Sequence, residues 1–167
     1  MRMPRALIIA IALVVALVVQ TTLFAQIRVV TPDLVLLLAI LLSLTRIRPE
    51  LVLLTGFCSG LVVDLIGSSI LGLRAVVFTI VAYIGLRTRQ RAELGRFAAA
   101  IWAGLLSLVG VVLLVVIGTL FGQTSLLGPD VFRTMGVVSA ANLVLAAMFA
   151  PAFVRLIDGD PTVLRFS

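Results

Sequence analysis

A single carboxylate, Asp64, lies inside a segment that is otherwise apolar, and two glycines precede it at intervals of four residues. Residues four apart share one face of a helix, so Gly56, Gly60 and Asp64 predict a flat groove that ends in a charge. An ionisable group at membrane depth is by default a functional or structural anchor. The chemistry that suits it is ion pairing, and Arg74, beyond a Gly-Ser connection, is the expected partner.

Two roles are open for this pair: a structural ion pair that fixes a helix hairpin, and a direct contact with a partner protein. If close approach of another helix is what the glycines provide, Gly60→Leu should overfill the groove. Gly60→Ala should then be tolerated far better. Cys58 is expected on the face of Gly56 and Gly60 as a small apolar filler.

The remaining polar residues do not form a catalytic set. Asn142 lies about midway along the last apolar run and predicts an interhelical hydrogen bond rather than a ligand contact. The chain has no His, one Cys, and 13 basic residues that are all Arg. These facts exclude disulfides, His-based metal sites and Schiff-base chemistry within the chain. We therefore expect no enzyme activity, no metal and no cofactor.

The composition determines the class of protein. Of 167 residues, 62% are hydrophobic and 12% charged, and the mean hydropathy is +1.31. These values indicate an integral membrane protein, and the short polar stretches predict one polytopic membrane domain over residues 1–167. The net charge of +6 comes from arginines scattered between apolar runs. That distribution favours a topology signal over nucleic-acid binding.

Six apolar runs predict six transmembrane helices in an all-α fold, at about 6–24, 31–47, 49–66, 71–86, 97–121 and 131–154. The second begins with Thr31, Pro32 and Asp33, which predict an N-cap hydroxyl, a proline at the first helical position and an acid in the first turn. Its purely apolar part is short for a bilayer of roughly 30 Å. A re-entrant hairpin is therefore the competing interpretation.

The arginines predict the orientation of these spans. With both termini in the cytoplasm, ten arginines are inside and three outside, which agrees with the positive-inside rule. The outer arginines are Arg28, Arg74 and Arg133; the inner ones are Arg2, Arg5, Arg46, Arg48, Arg87, Arg89, Arg91, Arg96, Arg155 and Arg165.

The order of these features resembles the rod shape-determining membrane protein family MreD. The matching elements are Gln20, Pro32-Asp33-Leu34, Gly56-Phe57, Gly60-Leu61, Asp64-Leu65 and Leu71-Gly72. The resemblance implies a component of the cell-elongation machinery in the bacterial inner (cytoplasmic) membrane. Its implied partners are MreC, RodA with its transpeptidase, and membrane lipid. It also implies a fold similar to the substrate-binding subunits of energy-coupling-factor transporters.

Two functions from different classes remain. The first is a non-enzymatic scaffold of the elongation complex, which supports lateral peptidoglycan synthesis and cell shape. The second is a vitamin-binding subunit of a transporter, with Ala12 and Ala16 as its coupling surface. A vitamin binder should gather aromatic residues in an outer cavity, whereas Trp102 and Tyr83 are expected near the inner half. The scaffold is favoured, with the following residues for partner binding or packing: Pro32, Asp33, Gly56, Gly60, Asp64, Gly72 and Arg74.

Overall fold

The computed structural model describes residues 5–22, 33–67, 70–92, 96–123 and 131–158, and these form six helices with no strand among them. The helices are α1 (Arg5–Thr22), α2 (Leu34–Ser43), α3 (Pro49–Ile66), α4 (Leu73–Ala92), α5 (Arg96–Leu120) and α6 (Val131–Asp158). The predicted all-α class is confirmed. The orientation in the membrane and the likeness to transporter subunits stay predictions.

Three of the helices are long and apolar enough to cross a membrane by length and composition, within Pro49–Ile66, Phe97–Leu120 and Val131–Val154. Ala6–Thr22 and Leu34–Ser43 are shorter apolar helices. Helix α4 has 20 residues but carries several arginines, which lower its hydropathy. The apolar helices mark the chain as a membrane protein.

Two helices differ clearly from prediction: α4 continues to Ala92, six residues beyond its predicted end at 86, and α2 is shorter than its predicted span of 31–47. It has ten residues and so a length of about 15 Å, roughly half of the hydrocarbon core of a bilayer. Nine of its ten residues are buried, which identifies it as the central helix. The chain then turns through Leu44 to Arg48 before α3 begins at Pro49.

The start of α2 also differs from the prediction. Asp33 is the N-cap residue itself, with φ −90° and ψ 91°, and its carboxylate accepts a hydrogen bond from the Leu36 N–H. The prediction that Thr31 is the N-cap was therefore wrong, because Asp33 satisfies the free N–H groups of the first turn. Thr31 and Pro32 lie outside the described residues.

The other helices surround α2. Glycines on α4 and α5 allow these two helices to pack closely against α2 side chains. A Cβ added to Gly110 of α5 would lie 2.9 Å from the Leu36 side chain, and one added to Gly85 of α4 would overlap Ser43. Buried Leu36, Ile40 and Phe78 belong to one continuous apolar cluster. The apolar core of the protein is thus built around α2.

Candidate functional site

The glycines of α3 face α4 of the same chain. A Cβ added to Gly60 would lie 2.5 Å from the Arg74 carbonyl oxygen and 2.6 Å from the Cα and N of Ala75. A Cβ added to Gly56 would meet the Phe78 carbonyl oxygen at 3.3 Å. The α3 groove, which we define as the face of Gly56 and Gly60, is therefore filled by the backbone of α4.

One expectation about this groove was wrong, and the structure argues against another. An alanine at Gly60, which was expected to be tolerated far better than a leucine, would place its Cβ against main-chain atoms that cannot rotate away. Cys58 does not lie in the groove, since it is exposed. Two residues advance a helix by about 200°, which places Cys58 on the side opposite to Gly56 and Gly60.

Asp64 closes the groove at the C-terminal end of α3, and its side chain is fully buried. One carboxylate oxygen accepts a hydrogen bond from the main-chain N–H of Arg74 at 2.9 Å. The other lies 3.8 Å from Arg74 Nε. Gly72, with φ 90°, provides the left-handed turn just before α4. The structure thus brings Asp64, Gly72 and Arg74 together at the tip of the α3–α4 hairpin.

Arg74 also reaches the beginning of α2. Its Nη1 lies 3.4 Å from Asp33 Oδ2, so one guanidinium stands between two carboxylates from different parts of the chain. Asp33 Oδ1 accepts the Leu36 N–H at 3.0 Å, and Gln20 Nε2 is at the hydrogen-bond limit of 3.5 Å from the same oxygen. Asp33 therefore caps α2 and, at the same time, forms an ion pair with Arg74 of α4.

Helices α1, α5 and α6 join the same cluster through neutral side chains. Gln20 Oε1 of α1 accepts the Val35 N–H at 3.2 Å. Asn142 Nδ2 of α6 donates to the Asp33 carbonyl oxygen at 3.3 Å and to Ser107 Oγ of α5 at 2.7 Å. The predicted interhelical role of Asn142 is confirmed. We call these six residues the Asp33 network: Gln20, Asp33, Asp64, Arg74, Ser107 and Asn142.

Most of the Asp33 network is buried in the helix bundle. Asp64, Ser107 and Asn142 are at most 3% exposed, whereas the Arg74 side chain is 28% exposed. An unpaired carboxylate among these buried groups would be costly. Pairing with Arg74 and capping of α2 compensate for that cost.

The chemistry of the Asp33 network is structural. Its carboxylate oxygens accept hydrogen bonds or pair with Arg74, and no nucleophile stands beside a general base among these six residues. In the described part of the chain, no group of three His, Cys, Asp or Glu residues is placed to hold a metal ion. Among the described side chains, Asn142 Oδ1 and Ser139 Oγ are buried without a hydrogen-bond partner.

The sequence analysis missed the contact between Asp33 and Arg74, which are 41 residues apart. Asp33 was expected in the first turn of the second helix and among the residues for partner binding or packing, with no named partner, and Gln20 was an element of the family resemblance. The sequence did hold an indication of these contacts, since Gln20 and Asp33 are polar residues that flank apolar runs. Pro32, the remaining predicted site residue, lies outside the described residues.

Comparison with protein-family models gave a match over most of the chain. The family model described as rod shape-determining protein MreD matches residues 1–158, nearly the whole chain. No curated protein and no solved structure matches the chain significantly.

Proposed function

The chain belongs to the MreD family of rod shape-determining proteins, and we propose that it is a non-enzymatic scaffold of the cell-elongation complex in the bacterial inner membrane. The observation that carries this proposal is the Asp33 network, in which polar groups from all six helices bind one another. Such a network holds the helices in one arrangement and suits a protein that positions others.

The proposed partners are MreC, which has one membrane span and a large outer domain, and RodA with its transpeptidase. Because α4 fills the α3 groove, a partner helix must contact another face. The opposite face of α3 offers Leu54, Phe57 and Leu65, which are all exposed. Exposed apolar residues on a membrane helix contact either lipid or a partner span.

We expect MreC to co-purify with this protein. The full chain, tagged and co-expressed with MreC, should retain MreC through purification in mild detergent. An unrelated tagged multi-span protein, expressed at the same level, is the matched control and should retain none. Failure to recover MreC with a protein that elutes as a single folded species would contradict the proposed scaffold role.

We also propose that both termini are cytoplasmic, on the basis of the ten-to-three arginine asymmetry. Reporter fusions after Arg48, Arg91 and Arg165 should report the cytoplasm, and fusions at Ser68 and Gln123 the outside. An external reporter at Arg91 would overturn this topology. An external reporter at Arg48 combined with a cytoplasmic one at Ser68 would contradict the assignment of α2 and α3.

The transporter-subunit alternative gains no support from these features. Its coupling surface would be Ala12 and Ala16, but both residues are partly buried and pack against the apolar core. Trp102 does not contribute to the Asp33 network; its indole N–H donates to Thr88 Oγ1 at 2.8 Å. Tyr83 is about half exposed and contacts Arg87 instead.

A further inference from the structure

A groove lies at the arginine-rich end of the α3–α4 hairpin, remote from the Asp33 network. It has a volume of about 490 Å³, within the range of small-ligand sites, and it is open on one side. Residues from the N-terminal part of α3 and the C-terminal half of α4 line it: Pro49, Leu53, Tyr83, Leu86, Arg87 and Arg89. We call it the Arg87 groove.

The lining divides into a charged and an apolar part. Arg87 and Arg89 are the charged residues of the lining, whereas Leu53 and Leu86 are its aliphatic residues. The described lining residues include no carboxylate that would neutralise the arginines. The groove therefore suits a ligand that is anionic at one end and aliphatic at the other.

Tyr83 holds one of the arginines in position. Arg87 Nε donates to the Tyr83 hydroxyl at 3.1 Å, and the guanidinium carbon lies 5.5 Å from the centre of the Tyr83 ring. Within the described residues, this contact engages Nε and not the two terminal nitrogens of Arg87, which can also donate hydrogen bonds. A guanidinium fixed in this way binds a phosphate through two parallel hydrogen bonds.

We propose that the Arg87 groove binds an anionic phospholipid, with Arg87 and Arg89 on the phosphate and an acyl chain along Leu53 and Leu86. Tyrosine and arginine at the end of a membrane helix lie at the depth of lipid headgroups. An acidic peptide would satisfy the arginines but would have no acyl chain to cover the two leucines. The proposal goes beyond the scaffold role and does not require MreC.

The test uses the full chain in nanodiscs that contain equal amounts of phosphatidylglycerol and phosphatidylcholine. Lipids that stay bound after extraction are identified by native mass spectrometry. The wild-type protein should retain phosphatidylglycerol with an enrichment of about fivefold per arginine. Arg87→Gln with Arg89→Gln should bring the enrichment close to one, and each single change should give an intermediate value.

Arg133→Gln is the matched control, because Arg133 is an exposed arginine of α6 that does not line the groove. It should leave the enrichment unchanged. Leu53→Trp tests the apolar part without changing the charge, since a larger side chain fills the groove and should also reduce lipid retention. The thermal unfolding midpoint of each variant reports whether its fold is intact.

Four results would overturn the proposal. The first is the same phosphatidylglycerol enrichment in the wild type and in the folded double variant. The second is a loss of enrichment in Arg133→Gln as large as the loss in the double variant. The third is displacement of the lipid by glycerol phosphate at equal concentration, which would identify a phosphate site without an acyl-chain contact. Binding of an acidic peptide by a protein that does not enrich phosphatidylglycerol would likewise assign the groove to a protein partner.

Discussion

Gly60→Ala is expected to destabilise the protein by about 3 kcal/mol, the upper part of the range for overpacked sites. The added Cβ would lie 2.5 to 2.6 Å from the Arg74 carbonyl oxygen and the Ala75 backbone. Relief requires α3 and α4 to separate, and that movement would also pull Asp64 away from the Arg74 N–H. Thermal unfolding in detergent should show a clearly lowered midpoint, and Gly60→Leu should be at least as damaging.

Two glycines provide matched controls for the same chemical change. Gly56→Ala would place its Cβ 3.3 Å from the Phe78 carbonyl oxygen, so a shift of a few tenths of an ångström accommodates it. Gly136→Ala, in α6, would meet nothing within 4 Å. The loss of stability should therefore be largest for Gly60, smaller for Gly56 and absent for Gly136. Equal midpoints for Gly60→Ala and Gly136→Ala would contradict close backbone packing at Gly60.

The contrast between Gly56 and Gly60 shows what spacing alone leaves undetermined. The interval of four residues correctly placed both glycines on one helix face. It could not supply the room beside each glycine, which is smaller at Gly60 than at Gly56 because the α4 backbone lies nearer. That room depends on how the hairpin closes at Gly72 and Arg74. The tolerance of each position to alanine therefore emerges only from the tertiary structure.

Helix α2 illustrates a second limit. Its continuous apolar run predicts a buried or membrane-embedded helix, and nine of its ten residues are indeed buried. A run that is apolar on every side has no periodicity from which to place its ends. Asp33 suits both the first turn and the N-cap position, and the sequence does not distinguish them. The actual N-cap is Asp33.

The Asp33 network shows why long-range pairing is harder to predict than local pairing. Asp64 and Arg74 are separated by ten residues across a hairpin, so their proximity follows from antiparallel packing of neighbouring helices. Asp33 and Asn142 are 109 residues apart, and only the arrangement of all six helices brings them together. Polarity identified each residue as unusual, but it did not identify the partners.

Arg74→Met is expected to destabilise the protein by about 3 kcal/mol, because it removes the guanidinium that stands between the Asp33 and Asp64 carboxylates. The value is at the low end for breaking a buried pair, since the Arg74 side chain is 28% exposed and that of Asp33 is 16% exposed. Asp64, whose side chain is 0% exposed, has the least access to water. Methionine keeps an unbranched apolar stem in place of the arginine stem, so the loss reports mainly the charge and its hydrogen bonds.

A second substitution determines whether unpaired charge causes this loss. Asp64→Asn alone should cost less than Arg74→Met, because the amide oxygen still accepts the Arg74 N–H. Added to Arg74→Met, Asp64→Asn should restore part of the stability, since one of the two carboxylate charges that Arg74 contacted is gone. Arg133→Met, at an exposed arginine of α6, is the matched control and should leave the unfolding midpoint unchanged. Strictly additive losses in the Arg74→Met and Asp64→Asn pair, or a midpoint for Arg74→Met equal to that of Arg133→Met, would show that the Asp33 network does not hold the helices through charge.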